Sequence, residues 1–145
     1  MKKIKRYVPP TLFVLYLAVL LCITVIRPGS GGYRFMGGSL HLTVLADYVP
    51  IFHNSIPWFL YLFVGNIVWF LPFGYYLTRF HLISVCRAVF YGFLFSLFIE
   101  IMQYVLGTGI SEPDDLILNT LGSLLGSLIG QMGRSLAEKR YREKR

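Results

Sequence analysis

Four long apolar blocks, separated by shorter polar segments, dominate the pattern of hydrophobic and polar positions along the chain. A helix rises about 1.5 Å per residue, so about 20 apolar residues cross the hydrocarbon core of a bilayer. All four blocks approach or exceed that length, and the third, which is the longest, requires tilt or an interfacial end. We therefore predict four transmembrane helices, at about residues 8–26, 58–77, 82–106 and 115–132.

Composition supports an integral membrane protein over a soluble domain. The 145 residues are 55% hydrophobic and only 14% charged, and a soluble domain of this size cannot bury that much apolar surface. The first block has a basic start, but no small-x-small cleavage site follows it, so we expect an uncleaved first helix. The predicted fold class is an all-α four-transmembrane-helix bundle, with residues 1–145 forming a single membrane domain.

The basic residues predict the topology. Twelve of the fourteen lysines and arginines fall before helix 1, beside the turn between helices 2 and 3, or after helix 4. The positive-inside rule makes that side cytoplasmic, with both termini inside and an extracytoplasmic loop between helices 1 and 2. The net charge of +7 is then explained by topology and by contact of the basic tail, residues 133–145, with anionic membrane lipid. No nucleic-acid partner is expected.

Polar side chains recur at similar depths in three of the predicted helices. On the helical rise, Glu100 lies about 9 Å, Asn119 about 7–8 Å and Asn66 about 12 Å below the outer end of its helix. The short connection at residues 107–112 makes helices 3 and 4 antiparallel neighbours. We therefore predict an outward-facing polar cleft that contains Asn66, Glu100, Gln103, Glu112, Asp115 and Asn119, with Arg27 beside it.

Two interpretations of these polar residues are open. They either hold helices together through hydrogen bonds or form a functional site, since ionisable groups inside a membrane usually mark one. Glu112 and Asp115 also suit the first turn of a helix, where carboxylates favour the helix dipole. In "SEPD", Ser111 is predicted to be the N-cap of helix 4, with Asp114 as its capping partner.

Other features predict packing and not chemistry. Gly122, Gly126 and Gly130 form a small-xxx-small stripe that permits close helix packing and, potentially, a homo-oligomer. Cys22 and Cys86 lie about a bilayer apart, too far for a disulfide.

The sequence carries no recognisable cofactor or metal motif. His41 and His53 lie in the outer loop with Asp47, but their spacing does not match that of metal ligands. No Ser-His-acid arrangement suggests a nucleophilic triad. We expect neither a cofactor nor a metal ion, and whether the chain catalyses a reaction is left open.

Three segments together resemble the VanZ-like family of bacterial membrane proteins. They are Asn66 followed by "IVWFLPFG", the "EIMQ" segment with Glu100 and Gln103, and "DLILNTLG" with Asp115 and Asn119. Many members carry an arginine ahead of the acidic pair at residues 112 and 115, where this chain has "GTGIS". If the cleft needs a cation, either Arg27 or Arg34 must supply it.

The resemblance implies a multi-pass protein of the bacterial cell membrane linked to antibiotic resistance, since the founding member is associated with teicoplanin resistance. The first hypothesis is a cell-envelope factor whose cleft binds a lipid-linked wall precursor or a lipophilic glycopeptide. The alternative is an intramembrane enzyme that acts on a lipid or isoprenoid-linked substrate, with Glu100 and Asp115 as its acid/base pair. A proton-coupled carrier is the third and weakest hypothesis, because helices 2 to 4 are apolar below the cleft.

Overall fold

The computed structural model describes residues 2–26, 33–44, 48–81 and 83–144, and side chains from residue 9 onward. Arg27 and Asp47 lie outside the described residues. The elements in chain order are α1 (Lys2–Leu21, continued by a π-helical turn at Cys22–Ile26), β1 (Ser39–Leu40), α2 (Tyr48–Asn54), α3 (Ile56–Phe80), α4 (Val85–Leu106), β2 (Ile110–Ser111) and α5 (Pro113–Glu143).

The predicted all-α class with four membrane-length helices is confirmed. The helices long and apolar enough to cross a membrane are those at Pro9–Ile26, Ile56–Phe80, Val85–Leu106 and Pro113–Glu143. The last one, α5, runs past the predicted end of its span at residue 132, because the basic tail continues it as a helix without a break. Its 31 residues extend about 46 Å, which exceeds the ~30 Å hydrocarbon core, so part of α5 projects beyond that core.

Local capping explains where α3 begins. The Ser55 side chain accepts a hydrogen bond from the backbone N–H of Trp58, and Pro57 occupies the first turn. A serine cap and a proline in the first turn both favour a helix start at this point. Helix α2, which the sequence did not predict, packs its Tyr48 ring edge-on against the rings of Phe59 and Phe63.

The chain forms two compact units. Unit 1 comprises Met1–Thr43 and Leu97–Pro113, and unit 2 comprises Val44–Ser96 and Asp114–Arg145. Unit 1 therefore contains α1, the following loop, the C-terminal part of α4 and β2. Unit 2 contains α2, α3, the N-terminal part of α4 and nearly all of α5.

In unit 1, the loop at residues 33–44 closes the C-terminal end of α4. The backbone N–H groups of Arg34, Met36 and Gly38 donate to the last carbonyls of α4, those of Leu106, Val105 and Tyr104, at 3.1, 2.8 and 3.1 Å. Helix ends leave such carbonyls without intrahelical partners. The loop therefore supplies backbone partners that α4 lacks, and β1 then pairs in parallel with β2.

The same helix ends in a Schellman turn centred on Gly107. The N–H of Thr108 donates to the carbonyl of Gln103 at 3.0 Å, and the N–H of Gly107 donates to that of Tyr104 at 3.3 Å. Gly107 has a φ of 65°, a left-handed conformation that favours glycine. A Cβ there would also lie 2.6 Å from the carbonyl oxygen of Arg34.

Gly107→Ala is therefore expected to destabilise unit 1 by about 1–2 kcal/mol from backbone strain alone, and to loosen the loop at residues 33–44. Limited proteolysis of the purified protein measures the second effect, and thermal unfolding measures the first. If the protease cuts the variant in this loop no faster than it cuts wild type, and both proteins unfold at the same temperature, this account of the turn is contradicted.

Small residues bring the helices of unit 2 close together. A Cβ added to Gly122 would lie 2.2 Å from the carbonyl oxygen of Ile67, and one added to Gly126 would meet that of Leu71. Gly130 approaches Thr78 in the same way. The predicted close packing through this glycine stripe is confirmed, with α3 as the neighbour. A homo-oligomer through the same glycines stays a prediction.

Aromatic rings fill the core of unit 2. Phe70 and Phe73 are buried, and the Phe73 ring stacks on that of Phe95 with 5.4 Å between centroids. Ser123 is fully buried, and both Gly74 of α3 and Gly92 of α4 approach it. These contacts fix the helix faces that carry the polar side chains described next.

Candidate functional site

The predicted site residues that the structure describes form two groups, one in each unit. Glu100, Gln103 and Glu112 belong to unit 1, and Asn66, Asp115 and Asn119 belong to unit 2. We call the first group, together with its neighbours His41, Thr108 and Ser111, the Glu100 cluster. The second group, together with Ser96, is the Asn66 cluster. Arg27, the predicted counter-ion, lies outside the described residues.

Glu100 is buried and firmly held. Its residue is 8% exposed, although it lies in a helix long and apolar enough to span a membrane. The backbone N–H of Glu112 donates to Oε2 of Glu100 at 3.0 Å. The Ser111 hydroxyl donates to the backbone carbonyl oxygen of Glu100 at 2.8 Å. The segment between α4 and α5 therefore folds back onto Glu100 and orients its carboxylate.

The capping role predicted for Ser111 is wrong. Helix α5 begins at Pro113, so Ser111 lies two residues before its start, in β2. Its hydroxyl is bonded to Glu100 instead, and Glu112 is the residue immediately before the helix. The prediction that Asp115 lies in the first turn of α5 is confirmed, and the same prediction for Glu112 is wrong, because Glu112 precedes the helix. Asp114 is buried, which the sequence did not indicate.

His41 reaches the cluster from the loop. Its backbone N–H donates to the carbonyl oxygen of Ser111 at 3.1 Å, and this hydrogen bond extends the pairing of β1 with β2. Its Nδ1 then lies 3.9 Å from Oε1 of Glu112. A protonated His41 would form an ion pair with Glu112, and both side chains are accessible enough to meet a ligand.

Gln103 is oriented by α1. Its Nε2 donates to the carbonyl oxygen of Thr24 at 3.1 Å, and Thr24 lies in the π-helical turn that ends α1. Such turns interrupt the regular hydrogen-bond ladder and are frequent at functional sites. Because a carbonyl can only accept, the amide NH2 must face Thr24, which leaves the acceptor Oε1 directed elsewhere.

The Asn66 cluster consists of two hydrogen bonds between helices. The Asn66 amide donates to Oδ1 of Asp115, joining α3 to α5. The Asn119 amide donates to the Ser96 hydroxyl at 2.9 Å, joining α5 to α4. Ser96 and Asn119 are both buried. These are the contacts expected of polar residues that hold helices together.

A double-mutant cycle on Asn66→Ala and Asp115→Ala is expected to give a coupling free energy of about 1–2 kcal/mol. Either single substitution already removes the hydrogen bond between the two side chains, so the double variant does not lose it a second time. Thermal unfolding in detergent measures it. Pairing Asn66→Ala with Thr120→Ala is the control, since the Thr120 hydroxyl donates to the Leu116 carbonyl in its own helix. Coupling no larger than in the control would argue against the Asn66–Asp115 bond.

Five partners in these clusters were not predicted as site residues: Thr24, His41, Ser96, Thr108 and Ser111. Ser96 could have been found, because it lies one turn before Glu100 on the same face of α4. Thr24 contributes a backbone carbonyl, and Thr108 and Ser111 depend on how the turn after α4 folds. No side-chain pattern in the sequence signals those contacts.

The Glu100 cluster is rich in hydrogen-bond acceptors. It combines two carboxyl groups and an amide oxygen with two hydroxyls and one imidazole, which suits a ligand that donates hydrogen bonds. Within the described part of the chain, no group of three or more His, Cys, Asp or Glu side chains is placed to hold a metal ion.

Comparison with known proteins agrees with this arrangement of motifs. A family model described as VanZ/LLP1 matches residues 13–133, which is most of the chain and includes every described residue that we predicted for the site. The chain belongs to the VanZ/LLP1 family. No match among curated proteins or solved structures reached significance. Membership of the VanZ/LLP1 family supports a multi-pass membrane protein linked in general terms to glycopeptide resistance.

Proposed function

We propose that this VanZ/LLP1 protein contributes to teicoplanin resistance by binding a lipid-linked cell-envelope precursor or a lipophilic glycopeptide at the Glu100 cluster. The observation that carries the proposal is the buried Glu100 carboxylate in a membrane-length helix, oriented by the N–H of Glu112. Ionisable groups at such positions are expensive and are usually retained for function.

Helix packing alone is a weak reason to keep a carboxylate here. In unit 2 of the same chain, the neutral pair Asn119 and Ser96 joins two helices without any charge. A neutral glutamine at position 100 could accept the same hydrogen bond from Glu112. We infer that the glutamate serves a ligand that donates hydrogen bonds to its carboxyl group.

The surroundings of Glu100 favour a ligand with an apolar chain. Phe98, two residues before Glu100 in α4, and Ile101, directly after it, are about half exposed. In a membrane-length helix such side chains face lipid. A ligand can therefore place its polar part at Glu100 while its acyl or isoprenoid chain stays in the bilayer, as both proposed ligand classes require.

The distribution of cations supports an extracytoplasmic position for the site. Unit 1 carries the turn between α4 and α5, and no lysine or arginine lies between residues 88 and 133. The basic segments flank the opposite ends of these helices, which the positive-inside rule assigns to the cytoplasm. Wall precursors and glycopeptides meet the membrane on the outer side, where this topology presents the Glu100 cluster.

Deleting the gene in its own host tests the proposal. We expect teicoplanin susceptibility to rise, by about tenfold if one charged contact governs binding. Vancomycin susceptibility should change less, because vancomycin lacks a lipophilic anchor. A plasmid copy should restore the wild-type value. Unchanged teicoplanin susceptibility after deletion would contradict the proposal, and a non-glycopeptide wall antibiotic serves as the control for general envelope damage.

A further inference from the structure

Two buried polar atoms in unit 1 have no hydrogen-bond partner among the described residues. They are Oε1 of Gln103 and Oγ1 of Thr108, in residues that are 9% and 3% exposed. Buried polar groups in folded proteins are nearly always paired, so each exception calls for an explanation. The proposed function uses Glu100 and Glu112 and leaves both of these atoms unexplained.

The two residues are held in one rigid turn. The N–H of Thr108 donates to the carbonyl oxygen of Gln103 at 3.0 Å, as part of the Schellman turn at Gly107. Gly109 follows directly, and a Cβ there would lie 3.2 Å from Nε2 of Gln103. With its Nε2 bonded to the Thr24 carbonyl, the Gln103 amide has one orientation, in which Oε1 serves as an acceptor.

We infer that Gln103 and Thr108 form a subsite for an uncharged ligand group that both donates and accepts hydrogen bonds, such as a sugar hydroxyl or an N-acetyl amide. The ligand donates to Oε1 of Gln103, and the Thr108 hydroxyl bonds to the same or an adjacent group. This inference rests on the proposed function, because the subsite receives the polar part of the ligand held at Glu100.

The charge of the surroundings favours an uncharged group over a phosphate. Glu100 precedes Gln103 by three residues and lies on the same face of α4. Glu112 bonds to Glu100 through its N–H and adds a second carboxylate to the cluster. Two carboxylates close together repel an anion, whereas a hydroxyl or an amide N–H pairs with them.

Binding of dodecyl β-N-acetylglucosaminide to the full chain in nanodiscs of zwitterionic phospholipid tests the subsite, with dodecyl phosphate as the anionic comparator. Gln103→Met and Thr108→Val remove the polar atoms with little change of shape. Each is expected to weaken glycoside binding about tenfold. Thr108→Ser keeps the hydroxyl and should bind like wild type. Ser123→Ala removes another buried hydroxyl without a described partner, but in unit 2, and should leave binding unchanged.

The melting temperature of the unliganded protein provides a second readout. If the Thr108 hydroxyl is reserved for a ligand, removing it relieves an unpaired buried group in the unliganded protein. Gln103→Met is not used for this readout, because it also removes the hydrogen bond to the Thr24 carbonyl. Thr108→Val should then raise the melting temperature by about 2–4 °C while it weakens binding. A merely structural role predicts the opposite sign, because the hydroxyl would then contribute to stability. A fall in melting temperature would overturn the inference.

Teicoplanin, measured in parallel, separates failure of the subsite from failure of the proposed function. If wild type binds teicoplanin and Glu100→Gln does not, while the Gln103 and Thr108 variants bind both compounds like wild type, the subsite is refuted and the proposed function stands. If wild type binds neither teicoplanin nor the glycoside, the proposed function fails and the subsite fails with it. Tighter binding of dodecyl phosphate than of the glycoside would also overturn the inference.

Discussion

Replacing Gly126 by alanine should strongly destabilise the protein. A Cβ at that position would overlap the carbonyl oxygen of Leu71 and lie 3.0 Å from the backbone nitrogen of Tyr75. Both contacts involve backbone of α3, which cannot rotate away as a side chain can. The two helices must separate, and we expect a loss of about 2–4 kcal/mol in the free energy of unfolding.

Gly65→Ala provides the matched control. It makes the same substitution in α3 at a position where, apart from the local backbone of α3, no described atom lies within 4 Å of the added Cβ. Alanine favours helix over glycine by about 1 kcal/mol, so this variant should be as stable as wild type or slightly more stable. Thermal unfolding in one detergent compares the two variants. Equal stability of Gly126→Ala and Gly65→Ala would contradict the close packing of α3 and α5.

Glu100→Gln is expected to abolish the contribution to teicoplanin resistance while leaving the folded protein in place. Glutamine has nearly the same shape as glutamate, and its amide oxygen can still accept the hydrogen bond from Glu112. Only the charge and one acceptor are lost. Teicoplanin susceptibility and the amount of protein in the membrane are measured in a deletion strain that carries the variant. We expect the susceptibility to match that of the deletion strain without the gene, and the amount of protein to match that of wild type.

Glu138→Gln is the corresponding control. Glu138 has a side chain that is 59% exposed and pairs with Arg134 at 3.1 Å on the projecting part of α5, where surface ion pairs contribute little. This variant should keep full resistance. If Glu100→Gln loses resistance and membrane level together, Glu100 mainly holds helices together. If it keeps both, the charge has no role in function.

Much of the fold follows from the sequence because membrane spans impose long, uniform apolar runs. Four such runs, with their flanking charges, predicted the four long helices, and the glycine stripe at every fourth residue predicted close packing. The pairing of β1 with β2 and the short helix α2 escaped prediction. The strand pairing depends on where the loop at residues 33–44 meets the end of α4, and backbone pairing of that kind leaves no side-chain pattern in the sequence. Helix α2 has only seven residues, too few to show a helical period.

Polar residues that form buried or interhelical hydrogen bonds could be selected from the sequence, whereas their partners could not. That these residues form a functional site stays a prediction. Depth along each helix selected Asn66, Glu100 and Asn119, and the structure gives each of them a specific hydrogen bond. Their partners could not be assigned from spacing, since Glu100 is held by a backbone N–H and Asn119 by a serine. The role of Ser111 was misassigned because "SEPD" matches a capping pattern, whereas the helix starts after it.

Teicoplanin binding to the purified protein in nanodiscs tests the central claim most directly, with wild type, Glu100→Gln and Glu138→Gln measured side by side and vancomycin as the comparator. Our account predicts that wild type and Glu138→Gln bind teicoplanin with similar affinity, and that Glu100→Gln binds it at least about tenfold more weakly. Equal affinity in all three proteins would contradict a ligand site at Glu100.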